Sequence, residues 1–276
     1  MEATREGEST MATRRDGVSV VVPTLNEAPS IEEFVRRMAR VLAGLSVPAD
    51  IVVVDDASPD GTAEIVETLA VALPVPLRVL RRSGPRSLSL SVVDGARGAV
   101  HPVLAVLDAD LSHDPDDLPR VIAPVLSGEV DLAVGSRYAS GGAMARWPLG
   151  RRALSAVGTS IARVLTRVRD PLSGFFSVRR EFLDGSAGDL RPRGYKILLE
   201  MLGGFPDLKV LEVPIRFRDR RTGRSKFGLR QGIEFLQQVL TLILTRLGRS
   251  ARDGRRAGAA GASSGNQKVH LLENVR

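Results

Sequence analysis

The segment Val103-Leu104-Ala105-Val106-Leu107-Asp108-Ala109-Asp110 delivers two carboxylates, one residue apart, at the end of an apolar run. Such a run reads as a buried strand, and where a strand ends the chain can turn so that both carboxylates converge on one hard cation. A divalent metal holding a diphosphate is the chemistry this suggests. Taken alone, Asp-x-Asp also fits a cap on the turn into Leu118 to Leu126, because Asp favours helix starts. A second acidic strand end lies upstream, where Ile51-Val52-Val53-Val54 runs into Asp55-Asp56-Ala57-Ser58-Pro59-Asp60-Gly61-Thr62. In open α/β sheets ligands bind outside the carboxyl ends of parallel strands, so both clusters are expected on one rim of one crevice.

Basic residues supply the complementary charge. Arg216 to Arg230 sets Arg216, Arg218, Arg220, Arg221, Arg224, Lys226 and Arg230 against a single Asp219, with Gly223 and Gly228 between them. That density suggests a mobile basic loop that folds over phosphate. For Arg137 and Arg220 individually, a solvated surface charge is the alternative. The net charge of +7 favours an anionic partner, which could be nucleic acid, a phosphorylated substrate or an acidic membrane surface. With aromatics at 4% there are few rings on which bases could stack, so nucleic acid is not expected among the partners. Cysteine is absent, which excludes disulfides, zinc-thiolate sites and thiol nucleophiles. The His residues, at 101, 113 and 270, are far apart, so a metal would rest on oxygen ligands, which favour Mg²⁺ or Mn²⁺. His113 and Trp147 read as structural, the first in its turn and the second in packing or at an interface.

These groups need elements to position them. Val18 to Val22 reads as a first strand, followed by the loop Pro23-Thr24-Leu25-Asn26-Glu27. The spacing of Ile31, Phe34, Val35, Met38, Val41 and Leu42 then predicts a helix, with Ser30 able to cap its start. Strands at Ile51 to Val54 and Leu77 to Leu80 flank a helix at Ala63 to Ala72, a βαβαβ order that implies a parallel sheet. Leu88 to Gly98 continues as helix before the strand that ends at Asp108. Leu132 to Gly135, Phe175 to Val178 and Lys209 to Phe217 are strand-like; Arg146 to Arg169 is basic and amphipathic, and Tyr195 to Leu202 is helical. The expected organisation is a disordered tail over 1–17, with Met11 a possible start, and one main α/β domain over 18–228. An amphipathic helix over 229–250 and a disordered basic Gly/Ala/Ser-rich tail over 251–276 follow. The apolar core of that helix, Val239 to Leu244, is too short for a bilayer, which needs about 20 residues. It could lie in the membrane interface with Arg246, Arg249, Arg252, Arg255 and Arg256 meeting headgroups, or pack on the domain as an ordinary helix.

In order along the chain stand Pro23-Thr24-Leu25-Asn26-Glu27, Val53 to Thr62, Asp108-Ala109-Asp110-Leu111-Ser112-His113, Gly135-Ser136-Arg137-Tyr138, Asp170-Pro171-Leu172-Ser173-Gly174-Phe175-Phe176 and Gly194 to Glu200. This series resembles the inverting GT-A glycosyltransferases of family 2, and among them the dolichyl-phosphate (polyprenyl-phosphate) mannosyltransferases. The likeness runs over roughly residues 18 to 245, compatible with one domain. It implies a GT-A fold, a mostly parallel Rossmann-like sheet flanked by helices, with the amphipathic helix at its C-terminus. It implies a GDP-mannose donor, a divalent metal as cofactor, and a polyprenyl or dolichyl phosphate acceptor.

Position by position, the resemblance places Pro23, Leu25, Glu27, Val54 and Asp56 around the nucleoside. It places Asp108, Ala109 and Asp110 at the donor, with Asp108, Asp110 and Ser112 as metal ligands. Lys196, Arg220 and Lys226 match residues around the donor diphosphate, and Arg137 and Arg151, with Ser155, match those that hold the acceptor phosphate. Ser112 stands where the family usually carries Gln, and Leu25 where it usually carries Tyr. The shorter hydroxyl can leave a metal vertex to water, and loss of the ring removes a stacking contact with the base.

A lipid phosphate is already anionic near neutral pH, so catalysis by Asp110, Arg137 and Arg151 could be mostly positioning and charge, with no protein general base. Inversion would give a β-linked sugar. The alternatives within the fold are UDP-glucose as donor or a hydroxyl as acceptor. Hydrophobic spans after the catalytic domain, frequent in the UDP-glucose relatives, have no counterpart here, which favours mannose. It also raises a separate membrane-anchoring partner for an enzyme peripheral on the cytoplasmic face of the membrane. A phosphoacceptor receiver imitates the acidic pocket but leaves Pro23 to Glu27 and everything after Gly135 unexplained. A nicotinamide dehydrogenase is disfavoured because no G-x-G-x-x-G opens the first helix.

Overall fold

Alternating apolar runs and amphipathic helices build a single seven-stranded sheet covered on both faces. The computed structural model describes residues 17–144, 149–186, 196–218, 235 and 237–244, with the side chains of 143–144 and 149–155 outside that description. Strands β1 (Val18–Thr24), β2 (Ala49–Asp55), β3 (Leu77–Arg81) and β4 (Val103–Val106) are linked by helices α1 (Ala28–Ala43), α2 (Thr62–Ala72) and α3 (Leu88–Gly98). After α4 (Leu118–Leu126) come β5 (Leu132–Ser136), β6 (Ala143–Met144), α5 (Leu149–Ala162), β7 (Phe176–Arg179) and α6 (Glu181–Asp184). Helix α7 (Ile197–Gly204) and strands β8 (Val210–Pro214) and β9 (Arg216–Phe217) follow, and residues 237–244 are helical.

The strand order is β3-β2-β1-β4-β7-β5-β8. Strand β1 pairs in parallel with β2 on one side and β4 on the other, so the chain winds outward from β1 and then returns to lay β4 beside it. That reversal makes the carboxyl ends of β1 and β4 a topological switch point, where adjacent loops diverge and leave a crevice. Strand β7 is antiparallel to both β4 and β5, and β5 pairs in parallel with β8.

The side-chain period of a strand explains the two layers. On one face Val18, Val20 and Val22 pack with Ile51 and Val53 against Phe34 and Met38 of α1 and Val66 of α2. Helix α4 extends this layer through Val121 and Ile122. On the other face Val21, Val52, Val54 and Leu104 meet Val92 and Ala96 of α3, while Val178 and Phe176 share a cluster with Leu198 and Met201 of α7. A strand buried on both sides reads as a continuous apolar run, which is why these segments lack alternation. A third cluster joins Ala162 and Leu165 to Leu199 of α7 and to Phe235 and Val239 near the C-terminus. The C-terminal helical residues therefore bury one face on the domain.

Three local readings are corrected. Ser30 lies in the first turn of α1 and is not its cap: the N-cap is Glu27, and the Ser30 hydroxyl donates to the Glu27 carbonyl at 3.2 Å. The span Lys209 to Phe217 divides at Ile215 into β8 and β9, and β9 leaves the main sheet to pair with β6 in a separate two-stranded sheet. Helix α7 begins at Ile197, and Tyr195 lies outside the described residues, as do the tails over 1–16 and 251–276 and Trp147.

Candidate active site

The rim at the switch point is built from loops whose backbones are held in uncommon conformations. Asn26, Ala57 and Leu111 all adopt positive φ, of 55°, 57° and 59°, and they follow β1, β2 and β4, the adjacent strands of the rim. Left-handed backbone at a non-glycine residue costs roughly 1–3 kcal/mol and persists only where surroundings enforce it. Here the enforcement is visible. The Asn26 amide donates to Ser58 Oγ at 2.9 Å, the Glu27 amide to Thr62 Oγ1 at 3.0 Å, and the Ala28 amide to Asp60 Oδ2 at 3.0 Å. The loops after β1 and β2 are thus stitched together. Burial pushes the Asp60 carboxyl pKa up, but the hydroxyl of Thr62 and the amides of Ala28 and Thr62 together outweigh it and leave the pKa below the ordinary carboxylate value.

Of the residues assigned to the nucleoside, Leu25 and Glu27 are half-buried in the loop, while Pro23 and Val54 are buried in their strands. Val54 packs its side chain into the core, so only its backbone reaches the rim. Asp55 and Asp56 divide their work. Asp55 accepts from Thr24 Oγ1 at 3.2 Å and the Ser58 amide at 2.9 Å, locking the turn. Asp56 is buried and pairs with Arg82, while its other oxygen accepts the Ser87 amide at 2.7 Å. Arg82 also reaches Asp94 at 2.8 Å. Sequence reasoning passed over Arg82; its position directly after the third parallel strand was the available signal.

Asp108 and Asp110 follow β4 on the same edge, separated from the Asp55-Asp56 pair by β1 alone, as the two acidic strand ends predict. Neither caps α4, whose N-cap is Asp117. Asp110 is 4% exposed and accepts the Ser112 amide at 2.9 Å, closing a tight turn around Leu111. Ala109 is buried in the core, so it contributes backbone only. The Ser112 hydroxyl is buried and has no hydrogen-bond partner among the described residues. A buried hydroxyl left in this way, in the turn that holds Asp110, fits a hard, oxygen-ligated cation. Among the described residues no three His, Cys, Asp or Glu side chains form a metal cage.

Because β7 runs backward, the loop before it, Asp170 to Phe175, reaches this rim. A Cβ at Gly174 would lie 2.7 Å from Asp108 Oδ2, so the carboxylate rests on glycine backbone. Arg137, just after β5, is not a solvated charge. Its Nε and Nη2 donate to the two oxygens of Asp170 at 2.8 and 2.7 Å, and its amide adds a third bond at 3.0 Å. Asp170 is wholly buried. Burial works to lower the Arg137 pKa, and its hydrogen bonds and charge pairing with Asp170 override that and raise it. Asp170 is the second residue without an assigned role in the sequence reading, although it opens one of the quoted motifs.

Phe217 of β9 ties these parts together. Its ring stands edge-on to His113 at 5.0 Å and 5.3 Å from the Arg137 guanidinium. His113 is buried between Phe217 and Phe175, the structural role expected for it. The next residue, Arg218, donates its amide to the Ser112 carbonyl at 2.9 Å and pairs with Asp114 at 3.2 Å. The basic stretch therefore starts directly against the Asp108 to Ser112 turn. Lys196 forms the N-cap of α7 and is half-buried. Arg220 and Lys226, and the side chains of Arg151 and Ser155, lie outside the described residues.

Acidic strand ends at a switch point, a buried hydroxyl in the turn after one of them and an arginine braced by a buried aspartate are the arrangement of a GT-A glycosyltransferase. The chain belongs to glycosyl transferase family 2, which matches residues 19–185. It is 39% identical over 230 residues to a dolichol-phosphate mannosyltransferase of Pyrococcus furiosus, covering 82% of this chain and 63% of that protein. It thus spans less than two thirds of that relative's length. It is 34% identical over 238 residues to the dolichol-phosphate mannosyltransferase of Saccharomyces cerevisiae, covering 83% of this chain and 88% of the other. A polyprenol monophosphomannose synthase of Mycolicibacterium smegmatis is 36% identical over 217 residues, 75% of this chain and 79% of that one. In fold, glucosyl-3-phosphoglycerate synthase from Mycobacterium tuberculosis, crystallised with Mn²⁺, UDP-glucose and phosphoglyceric acid, superposes with a TM-score of 0.61 at 22% identity. That match covers 88% of this chain and 83% of the other.

Proposed function

We propose that this glycosyltransferase moves mannose from GDP-mannose to a polyprenyl phosphate with inversion, giving a β-linked polyprenyl-phosphate mannose. The observation that carries the reading is the Asp108, Asp110 and Ser112 turn at the switch point, in a chain 33–39% identical to proteins that carry this activity in their names. Pro23, Leu25, Glu27, Asp56 and the backbone of Val54 hold the nucleoside in this reading. Lys196, Arg220 and Lys226 hold the diphosphate. A divalent ion, Mg²⁺ or Mn²⁺, held by Asp108, Asp110 and Ser112 supplies neutralisation of the leaving diphosphate.

Arg151 and Ser155 bind the acceptor phosphate, and Arg137, braced by Asp170, frames the same end of the crevice. An oxygen of that phosphate forms the new bond to the anomeric carbon from the face opposite the departing diphosphate. The acceptor arrives as an anion, so no side chain has to take a proton, and catalysis consists of orientation and charge. Among the described residues no helix is long and apolar enough to cross a membrane. Leu240 and Leu244 are 57% and 59% exposed on the C-terminal helical residues, which supports peripheral contact with the membrane holding the lipid acceptor. The cytoplasmic face and a separate anchoring protein belong to the same proposal.

The test is transfer of radiolabel into an organic-extractable product by the full chain given polyprenyl phosphate, divalent metal and either GDP-mannose or UDP-glucose. Label from GDP-mannose, lost with EDTA, is the expected result. Label from UDP-glucose alone would move the donor and implicate Leu25 and Ser112, and label from neither would overturn the acceptor. Asp110→Asn should reduce transfer to near background while circular dichroism remains that of the parent. Substantial metal-dependent turnover in that variant would remove Asp110 from the ion's ligands.

A further inference from the structure

Gln238 is almost fully buried, at 5% exposed, and its amide reaches across to Lys196, the residue that precedes α7. Its Nε2 donates to the Lys196 carbonyl at 3.0 Å and to Glu200 Oε1 at 2.8 Å, and its Oε1 accepts the Lys196 amide at 3.4 Å. Both backbone polar groups of Lys196 are therefore held by one side chain 42 residues away. Lys196 is the N-cap of α7 in extended conformation, and its own side chain makes no capping hydrogen bond. The Glu200 carboxylate that fixes the other end of the Gln238 amide is itself buried, at 4% exposed. Phe235 and Val239, on either side, seat the segment on Leu199 and Ala162.

We propose that Gln238 is a positioning residue for the transfer reaction. It fixes the backbone from which Lys196 projects and so makes the C-terminal helical segment part of the donor site. The inference rests on the assignment of Lys196 to the donor diphosphate. A buried amide bonded to a backbone N–H and C=O pins both position and rotation of the residue it holds, and a lysine whose base is pinned loses less freedom when it meets a phosphate. The Lys196 carbonyl also accepts the Glu200 amide at 3.3 Å, whereas the contacts of Phe235 and Val239 are apolar and hold no backbone polar group, which sets Gln238 apart from those two.

The experiment measures GDP binding to the full chain by titration calorimetry in Mg²⁺, together with the KM for GDP-mannose and for polyprenyl phosphate. Gln238→Met keeps length and burial and removes the amide. It should weaken GDP binding and raise the donor KM by about tenfold, the scale of losing a hydrogen-bonded support in a charged site, with the acceptor KM little changed. In a Lys196→Met background the same substitution should add nothing. If Gln238→Met does not fold, Gln238→Asn, one methylene too short to reach Lys196, replaces it in the same cycle. Equal losses with and without the Lys196 side chain, or no loss in a folded Gln238 variant when Lys196→Met does weaken binding, would overturn the proposal. No loss from Lys196→Met alone would instead withdraw the donor assignment of Lys196.

Discussion

A methyl group on residue 174 would meet the Asp108 carboxylate before it met anything else, since the nearest atom to a Cβ there is Asp108 Oδ2. The carboxylate is the end of a mobile side chain, so the fold can yield while the proposed metal ligand is displaced. Gly174→Ala should lower metal-dependent turnover by about a hundredfold, the scale of a misplaced catalytic group, with a thermal midpoint close to the parent's. Recovery of turnover at higher Mn²⁺ would locate the defect at the ion, and an unchanged rate would show that Asp108 is not held against residue 174. The role of this glycine was hidden in the sequence because it depends on a residue 66 positions away, whereas Asp108 and Asp110 were legible as chemistry from their own types and spacing. Arg82 and Asp170 were hidden for a related reason. A charge that is destined for burial looks the same in a sequence as one that faces water, and only the partner decides.

Helix α3 lies close on β1 and β2 because Gly95 offers no side chain at the contact: a Cβ there would fall 2.4 Å from Val21 Cγ1 and 2.9 Å from Val54 Cγ2. Both valines are wholly buried and leave no room to retreat. Gly95→Ala should destabilise the protein by about 1–3 kcal/mol despite the better helix propensity of alanine, because overpacking exceeds the gain. Chemical denaturation would measure it, and a stabilised variant would show that α3 can lift from the sheet at little cost. The elements themselves were legible where apolar runs were long and bounded, as in β1, β2 and β4. The parallel run of β1, β2 and β3 was legible too, from their alternation with helices, but the backward run of β7 was not, since a run such as Phe176 to Val178 buries the same side chains whether its strand runs up or down. The two-residue strands β6 and β9 are too short to carry any period, and only their pairing defines them.

On the edge of the sheet away from the crevice, a second polar cluster affects the whole molecule. Ser19 Oγ donates to the buried Asp50 at 2.5 Å, Arg78 pairs with it at 2.8 Å, and His101 Nε2 stands 3.9 Å from the same carboxylate. Burial lowers the His101 pKa most; Asp50 raises it and Arg78 lowers it, and the net is a value below the ordinary 6.5. The unfolded chain therefore takes up a proton more readily than the folded one, so stability is full above about pH 6.5 and falls as pH drops from there toward the lower folded value. His101→Gln should flatten the thermal midpoint between pH 7 and pH 5, and a parallel decline in both proteins would remove His101 as its source. The same edge gains a practical use from the backward run of β7. Its start faces the crevice and its end, Arg179, pairs with Val103 at the opposite edge, leading into α6 and the left-handed Gly185. Added chain between Gly185 and Ser186 emerges on the side remote from the substrates. A tether placed there would hold the enzyme on a bead or an electrode with its crevice facing outward, open to solution.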